Sequence, residues 1–156
     1  MAIQITQHTN NFSSCPQITE ADIPEVTALG FKTIINNRPD KEGGTEQPLS
    51  DDLKRATEKA GLAYVHIPVI PGNITQDNVA ACAAFIANAP VPILGFCKTG
   101  VRAANLYKTA SGKAGSQYKS VFAKACDWAK SKCLIRRLWL KLKGTASCKA
   151  CQVNSR

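Results

Sequence analysis

Cys97-Lys98-Thr99-Gly100-Val101-Arg102 is the stretch of this 156-residue chain whose residue types and spacing could do chemistry. A cysteine attacks as its thiolate, and a free thiol titrates near ~8.5. Here the cysteine follows Val91-Pro92-Ile93-Leu94-Gly95-Phe96, an apolar run of strand length, and an Ala-rich helical stretch follows the arginine. A short loop between a strand end and a helix N-terminus points several backbone N–H groups at one spot and, with the helix dipole, makes an anion site. Gly100 removes the Cβ that would block a tight backbone path. Arg102 offers a planar charged fork to two oxygens of a bound anion, and Lys98 adds a second positive charge. The same field lowers a thiol to about 3.5–7.5, so Cys97 is expected to be a thiolate without a dedicated base. The competing reading is a buried cysteine in a strand-to-helix turn beside an unrelated arginine. Cys-x4-Arg spacing alone does not separate the two; its place between strand and helix favours the catalytic one.

The elements that must position this loop alternate as in an α/β domain. Phe12 to Pro16 reads as a short extended piece. Thr19-Glu20-Ala21-Asp22 caps a helix to about Leu29, stopped by Gly30. Phe31 to Asn36 is β-branched and predicts a buried strand that ends in Asn37-Arg38-Pro39-Asp40. Ser50 is expected to cap a helix from Asp51 to Ala60, closed by Gly61. Tyr64 to Val69 predicts the next strand, with Pro68 putting its end at a sheet margin. Thr75-Gln76-Asp77-Asn78 starts a third helix with Val79, Ala83 and Ile86 on one face. The expected fold is a single α/β domain with a central, mostly parallel sheet flanked by helices.

Length and composition suit that fold. The chain is 44% hydrophobic and 20% charged, ordinary for a globular protein. No apolar run approaches the roughly 20 residues that span a bilayer, and Met1-Ala2-Ile3-Gln4 lacks the pattern of a signal peptide, so a cytoplasmic location is expected. The seven cysteines are then expected as reduced thiols, with Cys82 and Cys126 as small hydrophobes. The net charge of +9 is uneven: residues 1–107 carry 8 Lys/Arg against 10 Asp/Glu, and residues 108–156 carry 12 against Asp127 alone. Residues 1–110 are taken as the core, 111–145 as a basic helical segment packed on it, and 146–156 as a flexible tail. Lys130, Lys132, Arg136, Arg137, Lys141 and Lys143, interleaved with Trp139, allow nucleic-acid or anionic-surface binding or a solvated basic helix. Cys148 and Cys151 form a lone Cys-x-x-Cys that could join Cys126 and Cys133 around zinc, although the second close pair of a zinc site is missing. No metal and no cofactor is expected.

Three stretches carry a resemblance: Gly30 to Asp40, Gly61 to Val69, and the Cys97–Arg102 loop. With them, residues 12–107 resemble a bacterial family of phosphatase-like proteins with the cysteine-dependent, dual-specificity phosphatase fold. Its members also occur fused to β-lactamase-like, persulfide-processing proteins, and some are described as sulfurtransferases. The resemblance implies that Cys97 attacks phosphorus while the loop amides and Arg102 stabilise the equatorial oxygens, with a phosphorylated substrate as partner. Arg38 or Asp40, at the neighbouring strand end, would shape the pocket, and His66 would line its wall. Three departures stand against it. The loop is one residue shorter than Cys-x5-Arg, Ile70-Pro71-Gly72-Asn73-Ile74 supplies no general-acid Asp, and Phe96 and Ala103 replace the usual His and Ser/Thr. Asp40 and Asp77 are the nearby replacement acids, with Asp77 equally explained as a first-turn residue favoured by the dipole. A six-residue loop from cysteine to arginine also resembles the rhodanese loop. In that alternative Cys97 carries a persulfide, a sulfane-sulfur donor is the partner, and no acid is needed.

Overall fold

In the computed structural model of the chain, which describes residues 3–112, the β-branched runs pair into one five-stranded sheet. The strands are β1 (Thr6–Thr9), β2 (Phe12–Cys15), β3 (Thr33–Asn36), β4 (Ala63–His66) and β5 (Ile93–Phe96). The helices are α1 (Ile23–Ala28), α2 (Ser50–Lys59), α3 (Gln76–Ile86) and α4, helical over residues 101–112. The sheet order is β1-β2-β5-β3-β4, with β1 antiparallel to β2 and every other pair parallel. The expected fold, an α/β domain built on a mostly parallel sheet, is borne out.

Parallel strands have helices on both faces, so the inner ones read as continuous apolar or β-branched runs. All residues of β2, β3 and β5 are buried. On one face Phe12, Ile35 and Ile93 pack with Val79, Cys82 and Ala83 of α3 and Leu106 and Ala110 of α4. On the other, Cys15, Ile34, Leu94 and Phe96 meet Ile23 and Val26 of α1 and Leu53 of α2. Each such Leu, Ile, Val or Phe contributes about 1.5–3 kcal/mol by leaving water. Gly95 lets α4 approach: a Cβ there would lie 2.9 Å from two Phe12 ring atoms and 3.1 Å from the Ala103 Cβ. The Phe12 ring in turn stacks on Tyr107 of α4 at 3.7 Å.

The structure refines several expectations. The helix expected from Thr19 is a short 3-10 turn, Glu20–Asp22, followed by α1, and Gly30 ends it at φ +87°. The strand expected to run to Val69 stops at His66, and β4 is an edge strand, as Pro68 suggested. Ser50 does not cap α2. It is the first helical residue, and its N–H and hydroxyl are themselves bound by Asp40. Thr75 does cap α3, its hydroxyl accepting the Asn78 N–H at 3.2 Å. β1 has no counterpart among the expected strands: its TQHT sequence is exposed at all four positions, so it carries no hydrophobic signal. Among the described residues no helix is long and apolar enough to cross a membrane. The basic segment, the flexible tail, the nucleic-acid reading and the Cys126/Cys133/Cys148/Cys151 zinc reading lie outside the described residues.

Candidate active site

The parallel register sets Cys15, Phe96, Asn36 and His66 in one transverse row at the carboxyl ends of β2, β5, β3 and β4. β5 sits between β2 and β3 because the chain winds outward through α1 and α2 on one face and returns through α3 on the other. Ligands of open α/β sheets bind at such switch points, beyond the carboxyl ends. Cys97 is the next residue after β5, and α4 starts four residues later.

Cys97 is fully buried, and the Gly100 N–H donates to its Sγ at 3.1 Å. Burial pushes the thiol up. The backbone N–H groups of Thr99, Ala103, Arg102 and Gly100 outweigh that and hold it below its ordinary 9.0. This is the electrostatic field of a loop feeding a helix N-terminus, and the sulfur occupies the place where an anion's charge is stabilised. Gly100 makes the turn possible at φ +89°, with Cys15 O 3.1 Å and Ser14 Oγ 3.3 Å from where a Cβ would stand. Lys98, Thr99 and Val101 are exposed at the mouth of the loop. The other described cysteines behave differently: Cys15 is pushed up to about 12 by burial, then by the neighbouring Cys97 and Asp22 charges, and Cys82 to about 11 by burial.

Arg102 is held from behind. Its Nη1 donates to the Val69 carbonyl at 2.7 Å and its Nη2 to Glu42 Oε2 at 2.8 Å. The same Glu42 oxygen accepts from Arg38 Nε at 2.9 Å, and Arg38 Nη1 reaches Gln17 Oε1 at 2.9 Å. One carboxylate thus joins the buried arginine at the end of β3 to the arginine of the loop. Arg102 chiefly, despite partial burial, and then Arg38 keep the Glu42 carboxyl below its ordinary 4.5. The Arg102 guanidinium is raised by Glu42 first and also by the Cys97 sulfur, toward which it offers a donor.

Asn37 carries the supporting frame. Its N–H donates to Phe96 O at 2.9 Å, its side chain to Ile67 O at 2.9 Å, and its carbonyl accepts the Val69 N–H at 3.1 Å. Val69, whose carbonyl grips Arg102, is therefore fixed by the exit of β3. His66 Nε2 donates to the Arg38 carbonyl at 2.9 Å and stands at the wall rather than in the loop. Asp40 lies where α2 begins: Oδ1 accepts the Ser50 N–H at 2.9 Å and Oδ2 the Ser50 hydroxyl at 2.7 Å. Cys97, Arg102 and Arg38 are brought together, while Asp40 is turned to the helix. Glu42 and Asn37 escape a reading of the sequence. Glu42 meets Arg102 across 60 positions from within a loop, and no periodic pattern marks it.

Residues 4–115 match the family described as Beta-lactamase hydrolase-like protein, phosphatase-like domain. A curated relative, the Beta-lactamase hydrolase-like protein of Agrobacterium fabrum, is 42% identical over 87 residues, 56% of this chain. That alignment covers 20% of the relative, so the chain spans about a fifth of the curated proteins it matches. Among solved structures, a provisionally named phosphatase of Neisseria meningitidis Z2491 is 36% identical, with a TM-score of 0.58 over 64% of this chain and 70% of that one. Another from Shewanella putrefaciens CN-32 shares the fold at 24% identity, with a TM-score of 0.60 over 72% of this chain and 69% of its own. The resemblance carried by the Gly30–Asp40, Gly61–Val69 and Cys97–Arg102 stretches is borne out, and the chain belongs to the phosphatase-like domain family of the beta-lactamase hydrolase-like proteins.

Proposed function

We propose that this domain hydrolyses phosphomonoesters through a covalent intermediate on Cys97. The observation that carries the reading is the set of loop amides converging on the buried Cys97 sulfur, with Arg102 facing it. Such a sulfur ionises more readily than a free thiol, and converging backbone N–H groups of this kind stabilise oxyanions. Cys97 Sγ attacks phosphorus and the bond to the leaving oxygen breaks, while the loop N–H groups and Arg102 carry the charge of the equatorial oxygens. Water then attacks the thiophosphoryl group and Cys97 departs as the thiolate.

In this reading Arg102 is the catalytic arginine and Arg38 anchors Glu42 behind it. Lys98, Thr99, Gly100 and Val101 form the oxyanion cradle, and His66 is a wall residue. Asp40 has the role of a helix cap. Family membership and the Neisseria neighbour support a phosphatase, and the physiological substrate is a phosphorylated compound. The test is turnover of 4-nitrophenyl phosphate by the full chain. Cys97→Ser and Arg102→Ala are each expected to slow turnover by about 10²-fold or more. Turnover that survives Cys97→Ser unchanged contradicts the reading.

A further inference from the structure

We propose that the site, read as the phosphatase site above, acts on phosphoryl compounds whose leaving group departs as a weakly basic, apolar anion, namely acyl phosphates and aryl phosphates of acidic phenols. Alkyl phosphates are excluded in this account. The reason is the distribution of acids around the Cys97 loop.

When Cys97 Sγ bonds to phosphorus, the electron pair of the breaking P–O bond stays on the leaving oxygen. A carboxylate leaves with a conjugate acid near ~4 and a phenolate near ~10. An alkoxide is about as basic as hydroxide, whose conjugate acid titrates at roughly 15.7. The alkoxide therefore needs a proton in the transition state, and a positioned acid is worth about 10²–10⁴-fold.

Among the described residues, most of the acids at this end of the sheet are engaged: Asp22 accepts the Thr19 N–H and hydroxyl, and only Asp77, exposed in the first turn of α3, is left to the test below. Asp40 has both oxygens on Ser50. Glu42 lies between two guanidinium groups, which keep it an anion. His66 gives its Nε2 hydrogen to the Arg38 carbonyl. Tyr64 accepts from Asn36 Nδ2 at 3.0 Å, and burial pushes its hydroxyl up to about 12. The segment after β4, Ile70-Pro71-Gly72-Asn73-Ile74, closes as a tight turn with the Asn73 N–H on Ile70 O at 3.0 Å, and contains no titratable side chain.

Beside the exposed Lys98 and Thr99, two apolar residues near the loop are left open to solvent. Ile70 is 62% exposed and Val101 60% exposed. They are the chain neighbours of Val69 and Arg102, the two partners of one 2.7 Å hydrogen bond. A leaving group at the loop departs without help from the engaged acids. It leaves as its own anion and takes any later proton from solvent. Water attacks phosphorus in the second step, the S–P bond breaks, and the proton from water goes to solvent as inorganic phosphate is released.

The test uses the full chain and four compounds that share an aromatic body: benzoyl, 4-nitrophenyl, phenyl and benzyl phosphate. The expected result is a steep fall in kcat/KM with leaving-group basicity, about 10⁴-fold or more from 4-nitrophenyl to benzyl phosphate. Asp77→Asn and Asp127→Asn are expected to leave the series unchanged. Ile70→Ser is expected to raise KM several-fold for benzoyl phosphate and not for acetyl phosphate. Benzyl phosphate turned over within about tenfold of the nitrophenyl ester overturns the inference, as does a loss above about tenfold on phenyl phosphate in either Asp variant. A flat series that still requires Cys97 overturns this inference alone. No hydrolysis of any of the four compounds overturns the phosphatase reading with it.

Discussion

Replacing Gly100 with alanine tests the loop geometry at its tightest point. The backbone there sits at φ +89°, where an L side chain costs roughly 1–2 kcal/mol. The new Cβ would meet Cys15 O at 3.1 Å, the Cys15 carbonyl carbon at 3.2 Å and Ser14 Oγ at 3.3 Å. Two of these atoms are backbone of a buried strand, so the loop must give way, and such overpacking adds about 1–3 kcal/mol. The expected loss is therefore about 2–5 kcal/mol in urea unfolding. The same shift withdraws the Gly100 N–H from the Cys97 sulfur. Losing one such donor slows turnover of 4-nitrophenyl phosphate by about 10²–10³-fold, and the Cys97 thiol rises toward its ordinary value. Alkylation of Cys97 by iodoacetamide, followed by peptide mass spectrometry across pH, reads the second effect. Stability within about 0.5 kcal/mol of wild type together with an unshifted alkylation profile would contradict this loop geometry.

Glu42→Gln should cost about 1 kcal/mol near pH 7, because two charge-assisted bonds to one oxygen of a solvent-exposed residue are weakened. The folded Glu42 carboxyl lies below its unfolded value, so its stabilisation is complete above the unfolded value and fades as pH falls through the folded one. Urea titrations of wild type and variant should accordingly converge at acid pH; a gap that does not shrink counts against the ion triad. Asp40→Asn should lower stability by about 1 kcal/mol through the start of α2, and its turnover of 4-nitrophenyl phosphate should stay within about twofold of wild type. Turnover slowed by about 10²-fold would instead make Asp40 an acid. In wild type, Cys97 should alkylate with a midpoint below the ordinary thiol value, whereas Cys15 and Cys82, buried and pushed up to about 12 and 11, stay unmodified in the native state. Equal labelling of all three across pH would contradict the field at the loop.

The loop is legible because its signals are local: an apolar strand, a cysteine, a glycine that needs positive φ and an arginine, all in consecutive residues. The helices are legible for the same reason, through Thr75, Gly30 and Gly61 at their ends. What the sequence does not show is how distant loops close over the arginine. Glu42 meets Arg102 only because the sheet order inserts β5 between β2 and β3, and pairing across sixty positions leaves no periodicity to read. Asp40 resembles a site residue because it follows a strand in the same loop as Arg38. Its bonds to Ser50 show that the start of α2 claims it. β1 is invisible in the sequence because an exposed edge strand needs no apolar alternation, and Gln7 and His8 carry none. The end of β4 is easily overestimated because Ile67 and Val69 are buried and still bonded to Asn36 and Asn37 after the regular ladder has ended.

If Cys97 accepts the phosphoryl group, the mass of the full chain quenched in acid during turnover of 4-nitrophenyl phosphate records it. One added phosphoryl group is expected, mapped to the Cys97 peptide and absent from Cys97→Ser. A parallel exposure to thiosulfate should leave Cys97 unmodified. A single sulfur added to Cys97 from thiosulfate, with no phosphoryl adduct and no phosphate released, would instead make the loop a persulfide carrier.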